Sequence, residues 1–383
     1  MKTLEEELAQ RRAQHLYRER LVLESPQGAE VRVGEEILLS FCSNDYLGLA
    51  NHPRVIAAFR AGAERYGVGA GASHLVSGHS RAHHALEEEL ADFTGTERAL
   101  LFSTGYMANL GVVGALTDRH DVIFEDRFNH ASLIDAARLT RAKVNRYPHV
   151  DTARLAEMLA STRVPGLIAT DAVFSMDGDI APLAELYWLA SEHGARLLAD
   201  DAHGFGVLGR SGRGSFEHLG VPLAPPAMLM GTLGKALGVF GAFVAGEAAL
   251  IETLIQRSRT YIYTTALPPA VAEAARASLR LVREESWRRE HLQALVAQFR
   301  AGAQELGFTL TASPTPIQPL ILGDAAAALA ASRRMREHGI LIPAIRPPTV
   351  PEGSARLRIT FSAAHEAAHV DRLLAALSGL KPA

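Results

Sequence analysis

Cysteine occurs once in the 383 residues, as Cys42, so no disulfide can form within the chain and a reducing compartment suits it; the thiol reads as small, buried and inert. No apolar run approaches the 18 or so residues of a membrane-spanning helix, the longest lying near residues 236–246. The opening Met1-Lys2-Thr3-Leu4-Glu5-Glu6-Glu7 is too acidic for a secretory or transit peptide. A net charge of −3 with mixed signs gives no general attraction to nucleic acid or acidic lipid. A cytoplasmic protein without membrane or nucleic-acid partners is expected. Lysine is scarce as well: Lys2, Lys143, Lys235 and Lys381 are the only four, although lysine and arginine together number 39.

What is present is an apolar fraction of 48% with 21% charged residues, enough for a large core and for one large and one smaller domain. Residues 3–20 read as an amphipathic helix bearing Arg11, Arg12, Arg18 and Arg20, part of an arm over 1–45. From Pro53 onward, helical segments alternate with short apolar runs near 99–103, 121–125, 166–171, 196–200, 227–231 and 241–245. That alternation predicts a mostly parallel α/β sheet in a large domain over 46–285, with ligands at the carboxyl ends of its strands. Strand patterns near 317–322, 341–345 and 356–361, with helices at 324–338 and 365–378, predict a smaller α+β domain over 286–383.

Lys235 lies between apolar flanks in Gly231-Thr232-Leu233-Gly234-Lys235-Ala236-Leu237-Gly238. Lysine can shed its proton and form a Schiff base, which arginine with its far higher pKa cannot. Residues at predicted strand ends supply matching partners. Gly105 and Tyr106 open a helix after a strand, where backbone N–H groups can hold a phosphate. His130, in Asn129-His130-Ala131-Ser132, offers a flat imidazole to a planar ring. Asp200 ends a buried run and His203 follows three residues later. A carboxylate there can hold a protonated pyridine nitrogen and the imidazole a phenolic oxygen, although such a pair also suits a metal site or part of a catalytic triad. Ser175 ends another strand, and Thr232 brings a hydroxyl beside the lysine. An electron-sink partner, a stacking face, a phosphate cradle and a Schiff-base lysine together point to pyridoxal 5'-phosphate.

The segments Ser43-Asn44-Asp45-Tyr46-Leu47-Gly48-Leu49, Val76-Ser77-Gly78, Asn129-His130-Ala131-Ser132, Val173-Phe174-Ser175-Met176-Asp177-Gly178-Asp179, Asp200-Asp201-Ala202-His203-Gly204 and Thr232-Leu233-Gly234-Lys235 resemble the α-oxoamine synthases. These are fold type I pyridoxal-phosphate enzymes, and the resemblance spans residues 5–378. It implies a seven-stranded, mostly parallel sheet with helices on both faces, a smaller carboxyl-terminal domain and a helical arm. It further implies that Lys235 carries the cofactor, Asp200 pairs with the pyridine nitrogen, His203 and Ser175 reach the phenolic oxygen and His130 stacks on the ring. Gly105, Tyr106 and Thr232 would serve the phosphate, with Thr264 or Thr265 contributed across a homodimer interface. Arg358 would hold the amino-acid carboxylate, and Arg18 and Thr349 the acyl thioester. The segment Ala344-Ile345-Arg346-Pro347-Pro348-Thr349-Val350-Pro351 resembles the family's biotin-pathway branch, which condenses L-alanine with a pimeloyl thioester of coenzyme A or of an acyl carrier protein. The alternative is a sister reaction of glycine with acetyl-CoA or another short acyl-CoA. A non-catalytic pyridoxal-phosphate sensor is disfavoured, because no basic DNA-binding segment accompanies Lys235 and Arg358. Two positions depart from the family's habit: Tyr106, where phenylalanine is common, and Asp171, where glutamate is common and which receives no role here.

Other motifs carry less. His365-Glu366-Ala367-Ala368-His369 matches the zinc-protease pattern but lacks a downstream glutamate or histidine ligand, so it reads as a solvated helix start. His79, His83 and Glu87 at helical spacing read as a polar helix face sooner than a metal site. Gly67-Val68-Gly69-Ala70-Gly71-Ala72 follows a helix where a dinucleotide motif would follow a strand, and Gly234-Lys235 lacks the first glycine and the final Ser or Thr of a P-loop.

Overall fold

A computed structural model of the protein describes residues 2–380 apart from Arg163 and Pro165; Lys381 lies outside the described residues. Its strands in chain order are β1 (Glu30–Val33), β2 (Glu36–Ser40), β3 (Arg98–Phe102), β4 (Val122–Asp126), β5 (Lys143–Tyr147), β6 (Gly166–Asp171) and β7 (Arg196–Asp200). They continue as β8 (Ala227–Thr232), β9 (Ala242–Gly246), β10 (Ile317–Gly323), β11 (Ile340–Leu341), β12 (Ala344–Ile345) and β13 (Ala355–Thr360). The chain divides into two compact units, one of Met1–Gly48, Met176–Asp179 and Glu290–Ala383, the other of Leu49–Ser175 and Ile180–Arg289.

The second unit is built on a seven-stranded sheet in the order β3-β9-β8-β7-β6-β4-β5. The run from β8 to β5 is parallel, while β9 is antiparallel to both β3 and β8. Helices flank this mixed sheet, and its inner strands are apolar because both faces are covered. Phe102, Val112, Ile123, Leu198, Met230 and Val244 belong to one buried cluster. β5, with the sequence Lys-Val-Asn-Arg-Tyr, is not among the predicted strands. It is an edge strand paired only with β4, and apart from Tyr147 its side chains are not buried, so no apolar run marks it. Parallel register aligns Asp171 with Asp200 and Asp200 with Met230, so strand after strand ends along one sheet edge.

The first unit holds two three-stranded sheets, β1-β2-β11 and β10-β13-β12. The single strand predicted near 341–345 is two short ones, divided at Pro343: β11 pairs with β2, and β12 with β13. The helix predicted for 3–20 spans only Leu4–Ala13, capped by Thr3 and Glu6, and buries no residue. Its apolar stripe is too thin to hold a longer helix; Leu4 is 79% exposed, His15 takes a positive φ of 59°, and Arg18 and Arg20 follow in non-helical chain. Asp177 ties its short segment to this unit through an ion pair of 2.6 Å with the buried Arg356. Cys42 is half-buried, its sulfur 3.4 Å from Ser40 Oγ, and burial pushes its thiol pKa up, which keeps it unreactive.

His365 is not part of a solvated helix start. It precedes the helix Ala367–Leu377, is 2% exposed and stacks on Phe41 with ring centroids 4.4 Å apart. Its Nδ1 accepts from Ser362 N at 3.0 Å, so its Nε2 carries the proton that reaches Ser40 O at 2.8 Å. His369 instead accepts from Glu366 N in the helix cap, so the two histidines share no metal-binding face.

Candidate functional site

The second unit gathers most of the predicted site residues at the carboxyl edge of its sheet. β8 and β9 are joined by residues 233–241, which carry Lys235 in a tight arch: Leu233 N donates to Gly241 O, Val239 N to Leu233 O and Gly238 N to Lys235 O, at 2.8–2.9 Å. Gly238 closes the turn at φ +66°, and a Cβ on it would lie 2.3 Å from Ala50 N. Thr232, at the end of β8, donates its hydroxyl to Gly241 O and accepts from Gly234 N, at 3.0 and 3.2 Å. Lys235 Nζ lies 3.0 Å from Nε2 of the buried His203. One of those two nitrogens must present a lone pair, so the amine and the imidazole cannot both be fully protonated in this arrangement.

Asp200 ends β7 and is 4% exposed. Its Oδ1 accepts from Ala202 N at 3.0 Å and its Oδ2 from Asn109 Nδ2 at 2.7 Å. The same Asn109 nitrogen reaches Ser132 Oγ at 2.8 Å, and Ser132 Oγ lies 2.8 Å from His130 Nδ1. A continuous polar chain therefore runs from Asp200 through Asn109 and Ser132 to His130. His130 caps the helix Ala131–Thr140, and its backbone N–H donates to Asp171 at 2.5 Å. Asp171 N in turn donates to Asn129 Oδ1 at 3.1 Å. Desolvation lowers the pKa of His130 and Lys235 lowers it further, against the raising influence of Asp200 and Asp135. Burial, reinforced by the charge of Asp200, holds Asp171 well above the usual carboxylate range. The adjacent Asp201 serves the local architecture instead, its carboxylate accepting from Ser215 N and Oγ at 2.7 and 2.6 Å, and burial pushes it up to about 7.

The helix Gly105–Leu116 starts directly after β3, with Thr104 as its cap; Thr104 Oγ1 and O take the amides of Met107 and Ala108. As the first two helical residues, Gly105 and Tyr106 have no intrahelical acceptor for their amides, which suits an anion. The Tyr106 hydroxyl donates to Asp135, and its ring meets His130 edge-on at 6.4 Å. Ser175 follows β6 and is half-buried, while Thr265 is exposed before the helix Pro269–Glu284. The remaining candidates stand in the first unit. Arg358, on β13 and 5% exposed, donates to Thr360 Oγ1 at 3.0 Å and Asn44 Oδ1 at 3.3 Å. Arg18 donates to Thr349 Oγ1 at 3.0 Å, while Arg346 donates to the carbonyls of His15 and Tyr17. Arg18, Thr349 and Arg346 line one cavity of about 250 Å³.

Asn109, Ser132 and Asp171 are the members the sequence reading missed. Asn109 had a signal: it is the one amide in the apolar helix sequence Gly-Tyr-Met-Ala-Asn-Leu-Gly-Val-Val-Gly-Ala-Leu, and a polar residue buried there needs a partner.

A family model for aminotransferase class I and II matches residues 36–377. The chain belongs to that family, and its fold is the fold type I of pyridoxal-phosphate enzymes. Within the family it is 62% identical to 8-amino-7-oxononanoate synthase of Thioalkalivibrio sulfidiphilus over 98% of this chain and 97% of that one. It is also 62% identical to the enzyme of the same name from Nitrosococcus oceani, over 97% and 99%. Among solved structures, serine palmitoyltransferase of Sphingomonas wittichii superposes with a TM-score of 0.92 at 32% identity, covering 97% of this chain and 96% of that one. The 8-amino-7-oxononanoate synthase of Francisella tularensis gives 0.78 at 31%, covering 89% and 97%. A serine palmitoyltransferase variant from S. paucimobilis, solved with a bound PLP-myriocin aldimine, gives 0.92 at 30%, covering 98% and 96%.

Proposed function

We propose that this chain is a pyridoxal-phosphate-dependent 8-amino-7-oxononanoate synthase, condensing L-alanine with a pimeloyl thioester. The observation that carries the reading is the Lys235 amine, 3.0 Å from His203 on the arch after β8, where the neighbouring strand ends in the fixed carboxylate of Asp200. The donor set fits the cofactor: a primary amine, a carboxylate with both oxygens already oriented, two imidazoles and a helix start that favours an anion. When bound, pyridoxal phosphate supplies an electron sink for the pair left on an amino-acid Cα.

The chain's own residues then divide the work. Asp200, oriented by Asn109 and Ala202, receives the pyridine N–H; His203 and Ser175 serve the phenolic oxygen. His130 covers the ring face, and Gly105, Tyr106 and Thr232 serve the phosphate. Lys235 would anchor the cofactor, and its free amine would take the Cα proton. Arg358 holds the amino-acid carboxylate, and Arg18 with Thr349 contacts the acyl thioester. In balance, a bond forms between the alanine Cα and the thioester carbonyl carbon as the C–S bond breaks and the sulfur leaves as a protonated thiol, the carboxylate departs as carbon dioxide, and a proton returns to Cα. We read the enzyme as a cytoplasmic homodimer in which Thr264 or Thr265 reaches the other subunit's phosphate, with coenzyme A or an acyl carrier protein delivering the acyl group. No helix among the described residues is long and apolar enough to cross a membrane.

The test is turnover of purified protein with L-alanine or glycine against acyl thioesters of graded length, following carbon dioxide and the amino ketone. L-Alanine with the pimeloyl thioester is expected to be preferred. Preference for glycine with a two-carbon acyl group would overturn the substrate assignment.

A further inference from the structure

Four histidines stand at positions 74, 79, 83 and 84, followed by Glu87 and Glu88. Of His79, His83 and Glu87, read from the sequence as a polar helix face, His83 is fully buried. Ser80 N donates to His83 Nδ1 at 3.0 Å, so its Nε2 bears the proton and donates to Leu267 O at 2.7 Å. Both nitrogens are committed, and His83 is a strut of the helix Arg81–Thr94.

Its neighbours are arranged differently. His74 stacks on Tyr261 with centroids 4.9 Å apart, and its Nδ1 lies 3.0 Å from His79 Nδ1. That bond occupies the inner nitrogen of His79 and leaves Nε2, which lies 3.9 Å from Glu87 Oε2. Glu87 is held by its other oxygen, which accepts from Leu101 N at 2.9 Å. His84 stands three residues before Glu87 on the same helix, and one ligand atom from each of His79, His84 and Glu87 falls within 4.8 Å of the others. All three line a cavity of about 290 Å³.

We propose that His79, His84 and Glu87 form a binding site for a borderline divalent transition-metal ion, with zinc as its representative. Two imidazoles and one carboxylate match that class; ions that demand oxygen alone, or thiolate, are poorly served. Three protein ligands leave the fourth tetrahedral position to a solvent molecule in the cavity. With metal–ligand bonds of roughly 2.1 Å, tetrahedral ligand atoms stand about 3.4 Å apart. Closing the 3.9 Å between His79 and Glu87 is therefore a small adjustment, and the His84 side chain, 53% exposed, is able to swing in. His74 acts behind the ligands: by accepting the Nδ1 proton of His79 it fixes the tautomer whose Nε2 lone pair faces the ion.

The experiment uses tag-free holoenzyme, stripped with a chelator and titrated calorimetrically with zinc chloride alone. About one ion per chain is expected. His84→Ala removes an exposed ligand and Glu87→Gln retains an acceptor for Leu101; each should weaken binding tenfold or more, while thermal unfolding in chelator confirms that both are folded. His74→Phe, which keeps the stacking and removes the bond to His79, should weaken binding several-fold, and His120→Ala on an exposed loop should leave it unchanged. Absence of zinc uptake by the wild-type protein, or equal affinity in the His84→Ala and Glu87→Gln variants, would overturn the site.

Discussion

Asn109 donates one side-chain nitrogen to both Asp200, at 2.7 Å, and Ser132, at 2.8 Å, joining the carboxylate at the end of β7 to the helix that His130 caps. The link places two proposed cofactor contacts under one buried amide. A hydrogen bond to a charged group contributes about 1.5–3 kcal/mol, so Asn109→Leu should lower kcat by roughly 10- to 100-fold. Losing Asn109 Oδ1, itself buried without a partner, offsets part of the cost, but the buried Asp200 Oδ2 loses its donor, so Tm should fall modestly. Steady-state rates, the visible absorbance of bound cofactor and Tm measured together separate these effects. A large fall in Tm with unchanged absorbance would show a purely structural role.

Lys235→Arg keeps the positive charge and removes the ability to release a proton near neutral pH. Activity should fall by at least about a thousandfold, with no recovery up to pH 9. Turnover at the wild-type rate would refute the assignment of the proton transfer to this residue.

Arg358→Lys retains charge on β13 but not the planar fork that pairs with a carboxylate. The KM for L-alanine should rise by about tenfold or more while the KM for the acyl thioester changes little. Equal effects on both would indicate a general distortion of the strand.

Gly238→Ala places a methyl group 2.3 Å from Ala50 N at a positive φ. The variant should lose about 2–4 kcal/mol of stability, read as a lower Tm, and should bind the cofactor more weakly because the arch bearing Lys235 must move.

His365 is one contributor to the pH dependence of stability. Burial lowers the pKa of His365 from 6.5 to about 4. As pH falls below 6.5 the unfolded chain takes up the proton first, so this contribution is fully present above about 6.5 and is lost by about pH 4, amounting to about 3 kcal/mol. His365→Gln cannot titrate, and the Tm difference between wild type and variant should shrink between pH 6.5 and 4. A constant difference across that range would contradict the assignment.

The apolar strand runs were legible because inner strands of a covered parallel sheet must be apolar; the polar edge strand β5 was not, since one side of it has no strand to satisfy. Lys235, Asp200 and His203 stood out because a scarce lysine and an acid ending an apolar run are conspicuous in one dimension. Asn109, Ser132 and Asp171 were hidden because their meaning lies in contacts between elements 23 to 91 positions apart. His365 shows the converse: a motif that looks chemical in the chain is two histidines bonded to separate backbone groups once folded.

The antiparallel strand β9, inserted between β3 and β8, also sets an order of events during synthesis. Residues 98–102 find their sheet neighbour only in residues 242–246, so the helix start at Gly105 hangs from an unpaired edge until the ribosome has passed Gly246. The helix start at Gly105 and the arch bearing Lys235 both adjoin that same strand pairing. Two proposed cofactor contacts thus hang on one pairing between strands far apart in the chain.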